Sequence, residues 1–166
     1  MEGVKPVQTP MATNTSLLTG QGKTLEDATL YRSTVGALQY ATLTQSDISF
    51  ALNNVCQFLK EPTEEHWSAV KLILRYLKET VTHGLLINKN SSNEIHAYND
   101  ANWAGCPNDR RSTGDYTIYM GQNLISWSVR KQHTIARSST ESEYRGVGKC
   151  NGRGTERKMC GSKIQN

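Results

Sequence analysis

The chain has 166 residues with 36% hydrophobic and 7% aromatic content, which suits one domain or a small domain with an appended piece. Residues 1–143 carry 13 Lys and Arg against 14 Asp and Glu, whereas residues 144–166 carry six basic residues and one acidic residue. The net charge of +4 therefore comes from the C-terminal segment, and this distribution argues against a folded basic face. The scattered cysteines and histidines argue against a zinc site. The absence of long apolar runs argues against the secreted and membrane classes of protein. We therefore expect free thiols and an intracellular location, cytoplasmic or nuclear.

The first predicted helix follows a lead-in without periodicity. Residues 1–24 are rich in Thr, Gly, Pro, Asn and Ser and are predicted to be flexible. A helical pattern begins at Leu25, and Gly36 within it permits close approach by a neighbouring element. Its inward face is predicted from four positions: Leu30, Thr34, Leu38 and Ala41.

Two more helices complete a predicted helical segment over residues 25–82. Asp47 is predicted to cap the second helix, and Glu64 to begin the third, which runs to about Val81. The inward positions of the second helix are Ile48, Ala51, Leu52, Val55, Phe58 and Leu59. Those of the third are Trp67, Val70, Leu74, Leu77 and Val81. We interpret all of these as packing faces and place His66 on the surface.

Near His83 the hydrophobic period changes from 3.6 residues to two. Strands are predicted at 85–87, 94–100, 114–120 and 123–130, the last two joined as a hairpin by Gly121 and Gln122. A helix follows from Thr140 to Cys150, capped by Ser139 or Thr140. The predicted fold class is therefore α+β, with N-terminal helices, an antiparallel sheet of three or four strands and one covering helix. The basic tail, residues 151–166, is predicted to be disordered.

Two motifs in the C-terminal half are the most specific in the chain. One is the stretch Ala97–Gly105, AYNDANWAG, and the other is Ser138–Tyr144, SSTESEY. Together with Arg110–Thr113 and Ile125–Trp127 they resemble the N-terminal half of the RNase H domain in copia-type (Ty1/copia) retrotransposon Pol polyproteins. Upstream, QYATLT, DISFA and ILRYLK resemble the segment that joins reverse transcriptase to RNase H. The resemblance covers about residues 4–145 and implies a connection segment over 25–82 and a partial RNase H-like domain, with a truncated sheet, over 83–150.

The resemblance also implies a chemistry and a set of residues. RNase H cleaves the RNA strand of RNA/DNA hybrids with two divalent ions held by converging carboxylates. Asp100 at a strand end and Glu143 early in a helix occupy the matching catalytic and metal-binding positions, which implies Mg²⁺ as cofactor. On residue type alone, both acids are ordinary surface groups. Arg110 and Arg111 are interpreted as part of a charged loop or, alternatively, as weak nucleic-acid contacts.

The chain departs from the family pattern at several positions. Asn102 stands where the family has a second acid, and Gly114–Asp115 stands where it has Ser-Gly. After Arg145 the resemblance stops, and Glu156 is the single acid of the sequence that follows. The family's later acids have no counterpart, so we expect an incomplete centre with weak Mg²⁺ binding. A frameshift or aberrant splice junction near Gly146 is the expected origin of this ending.

Three functional hypotheses follow. The first is a degenerate retrotransposon fragment that keeps ancestral metal-binding positions with little or no turnover. The second is a residual RNase H nuclease that completes its centre from another chain. The third is a module co-opted by the host, which binds nucleic acid or protein through the basic tail or an exposed sheet edge. The missing acids favour the first hypothesis over the second.

Overall fold

The computed structural model describes residues 5, 7–12, 17–20 and 22–151. The chain divides into two compact units, with the boundary between Gly84 and Leu85. The described residues contain four α-helices and a three-stranded antiparallel sheet, which confirms the α+β class. Of the predicted basic tail, only Asn151 is described, as the last residue of a helix, and the remainder lies outside the described residues.

The first unit contains three helices. They are α1 (Ala28–Ala41), α2 (Ser49–Val55) and α3 (Glu64–Glu79), and single 3₁₀ turns at Ser46–Ile48 and Cys56–Phe58 flank α2. Their buried side chains form one core, listed here in chain order: Tyr31, Val35, Leu38, Ile48, Ala51, Leu52, Val55, Val70 and Ile73. The predicted inward stripe of the second helix is confirmed for Ile48, Ala51, Leu52, Val55 and Phe58.

The buried face of α1 differs from the predicted face. Asp27 caps the helix by accepting a hydrogen bond from the Thr29 N–H at 2.8 Å. The core-facing residues include Tyr31, whereas the predicted Leu30 is 53% exposed. Burial of Tyr31 is possible because its hydroxyl donates to the Val55 carbonyl at 2.7 Å, which satisfies the polar end of the ring.

The predicted surface position of His66 is wrong. His66 is fully buried in the first turn of α3, where its ring stacks on Phe58 with centroids 3.8 Å apart. Its Nδ1 accepts from the Thr63 N–H at 3.0 Å, the bond that an N3 Glu or Gln usually makes in a capping box. The helix ends at Glu79, and the predicted inward residue Val81 is exposed beyond that end.

The second unit is a sheet with one helix packed on it. Strands β1 (Ile95–Asn102), β2 (Thr113–Met120) and β3 (Asn123–Lys131) lie in the order β1-β2-β3, and α4 (Ser139–Asn151) packs against β1 and β2. The predicted strand at 85–87 is wrong, because that segment pairs with no strand among the described residues and Leu86 is 91% exposed. No helix within the described residues is long and apolar enough to cross a membrane.

The turn of the β2–β3 hairpin is fastened to the segment before β1. Gly121 lies in the left-handed region at φ +58°, and its N–H donates to the Glu94 carbonyl at 2.7 Å. The Ser91 hydroxyl accepts from the Gln122 N–H at 2.7 Å. A side chain at Gly121 would overlap Ser91, so glycine is required here for conformation and for space.

The N-terminus of α4 is capped one residue earlier than predicted. The Ser138 hydroxyl accepts from the Glu141 N–H at 3.2 Å, so Ser138 replaces the predicted Ser139 and Thr140 as the cap. The Glu141 carboxylate in turn accepts from the Arg137 N–H at 2.7 Å. These reciprocal bonds fix the start of the helix that carries Glu143.

Candidate functional site

The two faces of β1 differ in burial. Ala97, Asn99 and Ala101 are half-buried, whereas Tyr98 and Asp100 between them are exposed. This alternation is expected because successive side chains of a strand point to opposite faces of its sheet.

The face of β1 that bears Asn99 is the one that meets α4. The Asn99 side-chain amide donates to the Glu143 backbone carbonyl at 3.2 Å. A second amide, that of Gln132, donates to the neighbouring Ser142 carbonyl at 2.8 Å. Asp100 follows Asn99 directly, so strand alternation directs its carboxylate to the opposite face. The geometry gives no support for an ion shared by Asp100 and Glu143, and the metal role of both residues stays a prediction.

Asp100 instead faces a second acid across the strand pair. Asp115 is its register partner on β2, and directly opposed side chains share one face of an antiparallel pair. Partial burial and then the negative charge of Asp100 raise the pKa of Asp115. The departure at Gly114–Asp115 does not reveal this pairing in the sequence, because the long loop between β1 and β2 leaves their register unspecified.

Within the described residues, no group of three or more His, Cys, Asp and Glu side chains is arranged to hold a metal ion. Mg²⁺ needs several hard oxygen ligands in near-octahedral geometry. The opposed Asp100 and Asp115 supply two carboxylates on one face. A Mg²⁺ role for this chain therefore stays a prediction.

The β1–β2 loop carries the two arginines of the predicted nucleic-acid contact. Arg110 is exposed in the left-handed region at φ 56°. The Arg111 guanidinium lies 3.4 Å from Asp109, whose carboxylate also accepts from the Arg111 N–H. This arrangement is the charged loop proposed from the sequence. A nucleic-acid contact by Arg110 or Arg111 stays a prediction.

The loop is anchored at both ends by polar contacts. The Trp103 indole N–H donates to the Ala136 carbonyl at 3.0 Å, and the Ala104 N–H donates to the buried Ser112 hydroxyl at 3.2 Å. Asn102, which replaces the family acid, lies against Gly105 so closely that a Cβ there would be 2.5 Å from the amide nitrogen. Asn102 thus has a packing role at the loop entrance.

A cluster of three polar side chains that the sequence does not predict lies at the base of this loop. Cys106 is buried, and the Lys131 ammonium lies 3.0 Å from its sulfur and 2.9 Å from the Asp109 carboxylate. The three residues lie in the loop and at the end of β3, so neither spacing nor periodicity places them together. We call them the Cys106–Lys131–Asp109 cluster.

The sheet face that bears Asp100 also has a shallow groove near the β2–β3 turn. Tyr98 and Tyr119 meet edge to face in it, with ring centroids 5.9 Å apart. The groove has a volume of about 530 Å³ and is open to solvent. Its lining is mixed polar and aromatic: His96, Tyr98, Thr117, Tyr119, Gly121 and Gln122.

Comparison with known proteins decides the family. Two retrovirus-related Pol polyproteins of Arabidopsis thaliana, from transposons RE2 and RE1, are 48% and 50% identical to this chain over 143 residues, 86% of its length. The chain belongs to the copia-type retrotransposon Pol polyproteins. It spans about a tenth of the length of each of these two polyproteins.

This copia-type chain is also similar to an uncharacterized mitochondrial protein of Arabidopsis thaliana. The two are 48% identical over 145 residues, which cover 86% of this chain and 59% of the mitochondrial protein. No protein-family model matches the chain, and no solved structure matches it.

Proposed function

We propose that this copia-type region is a degenerate RNase H-like fragment. Its ancestral reaction is Mg²⁺-dependent cleavage of RNA in RNA/DNA hybrids, and its own side chains do not sustain that reaction. The hydrogen bond from Asn99 to the Glu143 carbonyl carries the proposal, because it supports α4 resting on the face of β1 that Asp100 does not share.

The physical argument concerns charge and position. Phosphoryl transfer by two divalent ions requires that the attacking and leaving oxygens be stabilised together. Asp100 faces Asp115, so this face offers two opposed carboxylates, and the described residues add no third His, Cys, Asp or Glu that could complete a metal site. The backbone of Glu143 contacts Asn99, on the face of β1 opposite to Asp100. We therefore expect weak Mg²⁺ binding and no turnover from Asp100 and Glu143.

Cleavage of a labelled RNA/DNA hybrid by the purified chain tests this function. We expect equal, trace cleavage from the wild type and from Asp100→Asn, with Mg²⁺ and with Mn²⁺. Asp109→Asn is the matched control, because it removes an acid of the same unit that lies outside the ancestral positions. Hybrid cleavage that Asp100→Asn abolishes and Asp109→Asn retains would establish a residual nuclease and overturn the proposal.

Nucleic-acid binding is proposed separately and rests on charge. Residues 144–166 carry six basic residues and one acidic residue, and most of this segment lies outside the described residues. Contacts to several phosphates release counterions, so affinity for a hybrid or for single strands should fall steeply between low and physiological salt. Fluorescence anisotropy over a salt series measures this. Sequence-specific binding that survives high salt would instead favour a host-acquired binding role.

A further inference from the structure

The Cys106–Lys131–Asp109 cluster is held in place by its own loop. The Cys106 N–H donates to the Arg111 carbonyl at 3.2 Å, and the Arg110 N–H donates to the Cys106 carbonyl at 2.9 Å. Lys131 is the last residue of β3. The next residue, Gln132, donates its backbone N–H to the Ser112 carbonyl at 2.8 Å. The backbone is therefore hydrogen-bonded beside both residues, and the Cys106 sulfur and the Lys131 ammonium lie 3.0 Å apart.

Electrostatics within the cluster favours an ammonium ion beside the sulfur. Partial burial acts to lower the pKa of Lys131, but hydrogen bonds to Cys106 and Asp109 outweigh it, so the pKa is raised. Burial likewise acts to raise the pKa of Asp109, and its hydrogen bonds with Lys131, Cys106 and the Arg111 N–H outweigh burial and lower it. The Lys131 nitrogen is thus held against the Cys106 sulfur as a proton donor within contact distance.

Burial then restricts which reagents can reach the sulfur. Cys106 is 6% exposed, which disfavours reaction with a bulky thiol or disulfide and leaves a small oxidant as the reagent to consider. We infer that Cys106 and Lys131 are a redox modification site, in which hydrogen peroxide drives formation of a covalent S–N cross-link between the two side chains.

The reaction balances with peroxide as the oxidant. In the first step the Cys106 thiolate attacks one peroxide oxygen, the S–O bond forms, and the O–O bond breaks. The departing hydroxide takes a proton from the Lys131 ammonium and leaves as water, so the products are a sulfenic acid and a neutral amine. The sulfur is oxidised and the peroxide is reduced.

In the second step the neutral Lys131 amine attacks the sulfenic sulfur. The S–N bond forms, the S–O bond breaks, and the hydroxyl leaves as water with one proton from the nitrogen. Sulfenic acids condense with thiols and with backbone nitrogen in the same way. The net change in the protein is the loss of two hydrogen atoms, and Lys131 acts first as proton donor and then as nucleophile.

Cys56 offers a contrast within the chain. Its sulfur accepts a hydrogen bond from the neutral amide of Gln39 at 3.5 Å, and burial raises the pKa of its thiol. It has a neutral hydrogen-bond donor where Cys106 has a cation. Peroxide should therefore oxidise Cys106 before Cys56.

The test uses the full chain with Cys56, Cys150 and Cys160 replaced by serine, so that Cys106 is the remaining thiol. After treatment with hydrogen peroxide, intact-mass spectrometry should show a monomer that has lost two hydrogen atoms. Peptide mapping should join the Cys106 and Lys131 peptides, and dithiothreitol should separate them. Lys131→Met and the charge-preserving Lys131→Arg should both lack the cross-link, with circular dichroism confirming that each is folded.

Three results would overturn the inference. The first is a Cys106 thiol that stays reduced in the wild-type protein at a peroxide concentration that oxidises Cys56. The second is addition of one or more oxygen atoms without the loss of two hydrogens in the single-cysteine chain. The third is a two-hydrogen loss that occurs equally in Lys131→Arg.

Discussion

His66 has one protonation state that fits its surroundings. Nδ1 accepts from the Thr63 N–H, so the ring hydrogen must be on Nε2, which donates to the Leu18 carbonyl at 3.2 Å. A proton on Nδ1 would remove that acceptor and place a cation at the N-terminal end of α3, where the helix dipole opposes it. Burial is the main cause that lowers the pKa of His66 below 6.5.

This ionisation predicts acid sensitivity. Because the pKa is lowered on folding, the unfolded chain binds more protons in the interval between the folded pKa and 6.5. The free energy of unfolding should therefore decrease as the pH falls below 6.5 and be constant for this group above it. Urea unfolding at several pH values should show this slope in the wild type.

His66→Gln should flatten that slope and reduce the free energy of unfolding by about 0.5–1.5 kcal/mol at neutral pH, because Gln can accept from the Thr63 N–H but loses the ring contact with Phe58. His66→Phe keeps the stacking on Phe58 and also removes the titration. Identical pH slopes in the wild type and both variants would contradict the prediction.

Replacement of Asp115 should change the free energy of unfolding in the opposite direction to replacement of His66 by Gln. Asp115→Asn should increase the free energy of unfolding at neutral pH by about 0.5 kcal/mol, because it removes like charges opposed across two strands. The raised pKa of Asp115 means that the folded state binds the extra proton above pH 3.8, so wild-type stability falls as the pH rises from there. The gain from Asn should grow over the same interval.

Asp109→Asn is the control for this prediction. Asp109 pairs with Lys131 at 2.9 Å, so its replacement should decrease the free energy of unfolding at neutral pH, whereas Asp115→Asn should increase it. Urea unfolding of both variants at about pH 4 and about pH 7 separates the two effects. A decrease for Asp115→Asn at neutral pH would show that its carboxylate is stabilising.

At the scale of elements, the β2–β3 turn depends on one glycine. Gly121→Ala should destabilise the second unit by about 1–2 kcal/mol, because a left-handed φ of +58° is unfavourable for an L-residue. The added Cβ would also lie 2.6 Å from the Ser92 carbonyl oxygen. Thermal unfolding of the variant measures the loss.

Gly36→Ala is the matched control for the same substitution. A Cβ at Gly36 in α1 meets no atom of the described residues within 4 Å, so no neighbour there uses the close approach that glycine permits. Alanine has the higher helix propensity, and the variant should be more stable by up to about 1 kcal/mol. If Gly121→Ala were as stable as the wild type, the turn would not require glycine.

The elements that sequence could locate are those defined by local pattern. The β2–β3 hairpin and α4 begin and end within one residue of the prediction, since period, turn glycine and capping serine are all local signals. The segment 85–87 has strand-like composition, but a strand also needs a partner, which no local signal supplies. The predicted inward face of α1 contains Leu30 and not Tyr31, because the Val55 carbonyl that satisfies the Tyr31 hydroxyl is supplied only by the tertiary fold.

Less of the candidate site than of the fold can be predicted from the sequence. The resemblance located Asp100 and Glu143, and the strand period alone says that Asp100 and Asn99 face opposite ways. Which face α4 covers depends on tertiary packing, which periodicity does not encode. Cys106 and Lys131 are brought together only when three strands are in register.

At the scale of the whole molecule, burial is uneven between the two units. Among the described residues, ten hydrophobic side chains of the first unit are buried, whereas the second unit buries Cys106 and Ala136. Each fully buried large apolar side chain contributes about 1.5–3 kcal/mol. The second unit should therefore open at lower denaturant concentration.

Native-state hydrogen exchange in increasing urea, read by mass spectrometry, tests this prediction. Peptides from β1, β2 and β3 should lose protection at lower urea than peptides from α1 and α3. Simultaneous loss in both units would show that the chain unfolds as one cooperative body. Gly121→Ala should lower the urea concentration only for the second unit.

The segment Leu85–Ile87 has a consequence for the chain as it is synthesised. Three consecutive large apolar side chains are exposed there on a backbone without strand partners. Short apolar segments of this kind, without charge or proline, favour intermolecular β-structure when many chains are concentrated. The yield of soluble protein on overexpression therefore depends on intermolecular association as well as on the free energy of folding. Leu86→Lys should keep more of the protein in the supernatant.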